Sequence, residues 1–452
     1  MAATDESEKN QDRLGSCIAA LHDGALESVR TMLEQMHPAE IAQLLESLSH
    51  DERQVVWEMV DPEVEGDVLA HVNDDVRASL IRGMEIAELV AAAGALDTDD
   101  LADLLSDLPD AAINEVLLSL DAQDRQRLEA VLSYPEDTAG GLMNVDTITV
   151  RPNVTLDVVL RYLRWRGELP DATDQLIVVD RDDHYLGLLP ITTLLTKPPT
   201  LSVTEAMISD EPAIDANKPA SEVAKLFEQR DLVSAPVVND AGKLVGRITI
   251  DDVVDVIRDS ADHSLLGLAG LDEHDDMFAP VMVTSRNRAG WLGINLLTAL
   301  LASWVIGLFA TTLDKIVVLA VLMPIVASMG GVAGSQTLTI VIRGIALGRV
   351  GSANARRLMA KEIAVGLLNG VLWALVVAGV TIFWFRDYQI GAILGVAIVI
   401  NLVFAAFAGA VIPLLLRRFG ADPALGGSVI LTTITDVVGF MAFLGLATLF
   451  LL

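Results

Sequence analysis

The residues best suited to ion chemistry stand in the last apolar segment, Ala424 to Leu452, which is long enough to cross a bilayer and carries one charge, Asp436. An unpaired carboxylate on a lipid-facing helix costs roughly 2.5–3.5 kcal/mol or more, so such a residue faces a bundle interior or an aqueous path. The 3.6-residue helical repeat puts Thr433, Thr432 and Ser428 on the same side. Hydroxyls therefore lead to a carboxylate, although Ser and Thr in membrane helices also serve simply to bond a neighbouring helix. A second constellation is Asp251, Asp255 and Asp259, spaced by four along one helix face. Like charges at that spacing repel by roughly 0.2–0.5 kcal/mol, a cost that a bound divalent cation removes. The run Asp251, Asp252, Asp255 also spells the DDxxD of prenyl-diphosphate enzymes. That chemistry needs an all-helical enzyme, whereas here a β-rich run, Leu244 to Ile250, leads into the acids.

The elements that position these residues differ sharply in charge. From Ser285 onward 11 Lys or Arg stand against 5 Asp or Glu, and the totals of 31 and 62 leave 20 against 57 before it. A soluble acidic part precedes a membrane part, which argues against nucleic acid as a partner and for cations as ligands. Much of such acidity is an ordinary solvated face. Cys17 is the only cysteine, so an intrachain disulfide framework is excluded and a reducing cytosol fits. Met1 to Gln11 is polar and does not read as a signal peptide. Leu14 to Leu132 reads as short helices, with caps such as Ser49 and Asp97 and an echo at an offset of sixty between Pro38–Val60 and Thr98–Leu120. Repeated helix pairs stack into a superhelix that offers an interaction surface rather than a catalytic pocket. With no nucleophile or metal motif and with single, scattered histidines, an enzyme is not expected.

After Tyr134 short β-rich runs alternate with amphipathic helices, again in duplicate. Val179–Leu195 superposes on Val238–Val254, with Gly187 over Gly246 and with Met143 and Met207 opening the two units. These residues resemble a tandem pair of CBS domains, a regulatory module that often binds adenine nucleotides such as ATP. In that family a Ser or Thr followed three residues later by Asp holds the ribose hydroxyls. Thr249 and Asp252 match this pattern, while the first repeat has Pro190 and Thr193 there, so the resemblance implies at most one such site.

Five uncharged stretches follow: Ala289–Leu313, Ile316–Ile342, Ile363–Phe385, Tyr388–Leu416 and Pro423–Thr435, the last continuing past Asp436. With the acidic part in the cytosol, nine basic residues flank the inner ends and two, Lys315 and Arg386, the outer, in accord with the positive-inside rule. Five spans place the carboxyl terminus outside. The second span ends in Pro324–Gly344, where Gly330, Gly331 and Gly334 cluster behind a proline. We expect discontinuous backbone there, lining a pore, with close packing through small residues as the alternative.

Taken in order, Asp137–Met143 (DTAGGLM), Gly246–Ile257 (GRITIDDVVDVI), Pro324–Gln336 (PIVASMGGVAGSQ) and Asp422–Phe440 (DPALGGSVILTTITDVVGF) resemble the MgtE family of bacterial magnesium channels over nearly the full chain. The resemblance implies a multidomain fold: an α-helical superhelical N domain (1–135), an α/β tandem CBS pair (136–200 and 201–260), a connecting helix (261–286) and a five-helix pore domain (287–452). It implies a homodimer in the lipid of the cytoplasmic, inner membrane that admits Mg2+ and closes when cytosolic Mg2+ binds the acidic domains. Asp436 then faces its twin in the pore, with Thr432, Thr433, Ser428, Gly330 and Gly331 beside the path. Sensing falls to Asp251, Asp255 and Asp259. Two positions depart from the family. Val332 replaces a pore asparagine, and His263, Ser264 and Leu265 stand where the family usually carries EDI before its LAG, so the resemblance implies that part of the sensor is weakened or moved toward Asp272, Glu273, Asp275 and Asp276. A zinc intramembrane protease is excluded because all seven histidines precede the first span. A chloride channel needs more spans and donor-rich sites. A carrier of Co2+ or Mn2+, or one coupled to another ion, is the nearest rival, though hard oxygen groups favour magnesium or calcium.

Overall fold

The computed structural model describes residues 2–94, 96, 98–108, 110–120, 122–170, 172–271, 276–351 and 353–452. It forms two compact units, Met1–Ser260 with His274–Pro280, and Ala261–Glu273 with Val281–Leu452. The expected connecting segment is thus shared between them, and its helix is part of a longer one, Ile250–Leu266.

The amino-terminal part of the first unit is a run of short helices that begin at Pro38, His50, Glu65, Asp74, Ile86, Thr98, Asp110 and Ala122. Most begin twelve residues apart, and all but the one at His50 pack chiefly on the next but one, so the helices form two rows. Buried leucines and valines such as Leu45, Leu48, Val56, Leu69 and Leu80 fill the space between. The predicted cap at Ser49 is present: its Oγ donates to Glu52 Oε2 at 2.6 Å and its N–H to the same oxygen at 3.2 Å. Asp97 lies outside the described residues. The echo at sixty is out of phase with the fold, because sixty residues is five helices and aligns one row with the other. Six helices, seventy-two residues, restore the row. Arg53 donates Nε to Leu45 O at 2.9 Å and Nη2 to Leu48 O at 3.1 Å, and Arg125 repeats this on Leu117 O at 2.6 Å and Leu120 O at 3.5 Å. Each guanidinium satisfies carbonyls at the end of the preceding helix, a task that helix ends leave open.

The duplicated segment folds as two three-stranded sheets. Thr149–Val150 runs parallel to Gln175–Val179, which pairs antiparallel with Tyr185–Pro190; Ile214–Asp215, Ser234–Val238 and Leu244–Thr249 repeat the pattern. Gly187 and Gly246 sit opposite Val178 and Val237, each beside a bulge. The opening segments are exchanged: Asn144 bridges to Arg247 of the second repeat, and Ile208 to Leu188 of the first. A Cβ on Gly246 would lie 2.9 Å from Asn144 O, which is why the approach needs glycine.

The second unit holds five helices long and apolar enough to span a membrane: Val281–Gly307, Val318–Ala346, Ala355–Phe385, Tyr388–Arg418 and Pro423–Leu451. The first begins eight residues before the uncharged stretch, with Arg286 and Arg288 in its first turns, and stops at Gly307; a separate short helix, Ala310–Lys315, completes the expected span. The fourth is the most enclosed, 61% of its apolar window being buried, and packs against the second, third and fifth. The second is one unbroken helix through Pro324 and all three glycines, so the expected discontinuity is absent. Two of its glycines are spent on packing: Gly330 lies against Asn401, and a Cβ on Gly334 would meet Leu431 at 2.9 Å, whereas Gly331 faces open space. Close approach of helices through small residues, not a broken backbone, explains the cluster.

Candidate ion path and cytosolic ligand sites

Asp422 opens the fifth helix by accepting the Ala424 N–H at 2.8 Å, with Pro423 in the first turn. Its other oxygen contacts His263 Nε2, so the position that departs from the family is paired to the start of the helix bearing Asp436.

Asp436 is half-buried and shares with Thr432 the wall of a groove of about 950 Å3. The opposite wall is one face of the second helix: Ala327, Ser328, Gly331, Val332, Ser335, Gln336, Thr339 and Ile340. Their spacing by three and four is that of a single helical face. Thr432 Oγ1 donates to Ser428 O at 2.9 Å, and Thr433 Oγ1 to Val429 O at 2.8 Å. A hydroxyl whose hydrogen is spent on its own backbone offers only lone pairs outward, which suits the donor hydrogens of a hydrated cation. Of the six residues expected at the path, the structure brings Asp436, Thr432 and Gly331 to the groove. Ser428 and Thr433 lie outside its lining, and Gly330 faces the bundle interior. Ser328, Ser335, Gln336 and Thr339 were missed, although their regular spacing in the second span was a readable signal.

In the cytosolic part Asp251 and Asp255 are exposed and Asp259 half-buried along one helix. Arg258 stands among them, its nitrogens 3.7 Å from both Asp255 Oδ1 and Asp259 Oδ1, and offsets part of their repulsion. Carboxylate crowding recurs on the helical rows, where burial, then Glu88 and Asp61, raises the Glu65 carboxyl above its ordinary value. Asp272, Glu273 and Asp275 lie outside the described residues.

Asp276, one of the acids toward which sensing was expected to shift, is bonded to the helical rows. Its carboxylate holds the fully buried Arg53 through Nη1 at 2.7 Å and Nη2 at 3.0 Å, and its N–H donates to Asp75 Oδ2 at 3.1 Å. The segment entering the first membrane helix is thus bonded to the helical rows.

Thr249 is buried, and both its N–H and its Oγ1 donate to Asp252 Oδ2, at 3.2 and 3.0 Å. Ser49–Glu52 and Ser202–Glu205 bond in the same way at their helix starts. The pair is therefore a helix cap as well as a hydroxyl-and-carboxylate site. Asp180, Asp182 and His184 also bring ligand-type atoms within 4.8 Å of one another, a group the sequence reading missed. Asp180 is already engaged there: it accepts the N–H groups of Asp182 at 2.8 Å and His184 at 2.9 Å. These bonds, the His184 N–H foremost, hold its carboxyl below the usual range.

Helical rows, a CBS-type pair and five membrane-length helices with a carboxylate in a polar groove define a multi-pass membrane protein with a large acidic part outside the bilayer. Family models match three stretches: divalent cation transporter (323–446), MgtE intracellular N domain (36–137) and CBS domain (203–259). The chain is 32% identical over 438 residues to "Magnesium transporter MgtE" of Thermus thermophilus (96% of this chain, 97% of the relative). It is 25% identical over 436 residues to the protein of that name in Bacillus subtilis (96% of each). The chain belongs to the MgtE family. Among solved structures, the cytosolic domain of the Mg2+ channel MgtE in complex with ATP matches at 31% identity and a TM-score of 0.49, covering 54% of this chain and 99% of that one.

Proposed function

We propose that this protein is a magnesium-selective channel or transporter of the cytoplasmic membrane, closed when cytosolic Mg2+ binds its acidic domains. The observation that carries the reading is Asp436 with Thr432 facing a groove lined by hydroxyls and an amide. Magnesium binds hard oxygen and releases water reluctantly, so it passes such a groove with much of its hydration retained. Two copies facing each other across the path would set two carboxylates on one ion and favour a divalent over a monovalent by charge. In this arrangement the N domain and CBS pair lie in the cytosol and the carboxyl terminus outside. The test is an ion series on purified protein in liposomes. Magnesium flux exceeding cobalt, manganese and calcium flux, without a coupling ion, is the expected result; equal flux of Co2+ or Mn2+, or dependence on a second gradient, favours the broader carrier.

Closure by magnesium needs only a difference in affinity between states, and a 100-fold preference at one site supplies about 2.7 kcal/mol. Asp251, Asp255 and Asp259 are the acids we assign to it, with Asp272 and Glu273 following in the chain. Millimolar Mg2+ is expected to protect the full-length protein in detergent from proteolysis between Asp259 and Asp276. Equal protection by sodium at matched ionic strength would reduce the effect to screening, which acts over about 8 Å at physiological salt.

We assign the nucleotide site to Thr249 and Asp252, with no more than one adenine nucleotide such as ATP per subunit. Asp252→Ala should abolish calorimetric binding and also cost about 0.5–2 kcal/mol as a lost cap. A variant that melts lower but binds nucleotide unchanged would leave Asp252 as a cap alone.

A further inference from the structure

Near the middle of the enclosed fourth helix stands Asn401, with no exposed surface. Its Nδ2 donates to Val326 O of the second helix at 2.8 Å, while its Oδ1 has no hydrogen-bond partner. Glycines clear the space on both sides. A Cβ on Gly330 of the second helix would collide with the amide, and one on Gly439 of the fifth would lie 2.7 Å from Nδ2. Helix bonding accounts for the donor half of this side chain, but leucine would fill the volume without burying an unpaired oxygen. The two glycines locate the amide with respect to the groove. Gly330 directly precedes the groove residue Gly331, and Gly439 lies three residues beyond Asp436, less than one turn away. The Asn401 amide thus stands behind both groove walls at the depth of Asp436.

We propose that Asn401 is a positioning residue of the ion path, a wedge that fixes the separation of the second and fifth helices and so the reach of Asp436 across the groove. The proposal rests on the reading of the groove as that path. Discrimination among hydrated divalents depends on where the carboxylate stands to a fraction of an ångström, because its contacts pass through ordered water. A purely structural role would alter stability and leave discrimination alone.

The experiment is Mg2+ against Ca2+ flux in liposomes with the full-length protein, beside its thermal unfolding in detergent. Asn401→Leu should fold, because it removes the unpaired oxygen at similar volume, yet lose about tenfold in the Mg2+ to Ca2+ flux ratio. Asn401→Gln, which keeps the amide, should retain part of the ratio. Gly439→Ala crowds the amide from the other side and should shift the ratio in the same direction, which covers the case of an Asn401→Leu protein that does not fold. A wild-type ratio in folded Asn401→Leu or in Gly439→Ala overturns the proposal. Asp436→Ala in the same assay separates the two readings: unchanged flux there removes the ion path itself, whereas lost flux there with unchanged Asn401→Leu removes only the wedge.

Discussion

Asp436→Ala is expected to abolish selective divalent uptake while leaving the folded protein intact, the largest functional effect of any single change proposed for this chain. Among the described residues the carboxylate is the only charge in the groove lining, and the rest of that lining is hydroxyl, amide or apolar. Removing it leaves neutral dipoles whose attraction for a divalent ion is far weaker than that of a full charge. Stability should hold, because Asp436 is half-buried and an alanine in a membrane helix carries no desolvation cost. Asp436→Asn separates charge from shape, since the amide keeps the size but loses the charge; uptake near zero for both variants assigns selectivity to charge. Radiotracer or fluorescent-indicator uptake by proteoliposomes is the measurement. Magnesium uptake at the wild-type rate by the folded alanine variant would sink the assignment.

Arg53→Leu is expected to produce the largest loss of stability in the cytosolic part, about 3–5 kcal/mol, because it leaves Asp276 buried beside no cation and strips two helix-end carbonyls of their donor. Arg125→Leu is the internal control. Arg125 makes the equivalent carbonyl bonds but holds no carboxylate, so among the described residues it isolates the scaffolding part of the task, and its loss should cost about 1–2 kcal/mol. Pairing Arg53→Leu with Asp276→Asn should recover part of the deficit by removing the stranded charge. Hydrogen exchange over residues 45–57 and 276–280 reads this locally, where a single melting temperature would mix the two units. Equal exchange in the Arg53 and Arg125 variants would show that the carboxylate adds nothing.

Apolar run length and the placement of arginines made the five membrane helices legible in the sequence, since a bilayer selects on both at short range. Asp436 was legible for the same reason, a charge being conspicuous where almost none is tolerated. The duplicated sheets were readable from alternation and from Gly187 over Gly246. Their exchanged openings were not, because a strand's own pattern states which face is buried and not which sheet supplies its neighbour.

What remained was decided by contacts between residues far apart in the chain. The glycines around Gly330 promised a broken helix by local propensity, yet the helix runs unbroken, because Asn401 and Leu431 pack where side chains would stand and tertiary contact outweighs the roughly 1 kcal/mol each glycine costs. The spacing of Ser328, Ser335, Gln336 and Thr339 was readable as one helical face, but only the packed bundle could show that this face lines the groove with Asp436 while Ser428 and Thr433 lie outside the lining. The pairing of Arg53 with Asp276 across 223 residues is of the same kind. An acidic residue in an acidic stretch looks like one more solvated carboxylate, and its pairing with a buried guanidinium is a contact that no local pattern encodes.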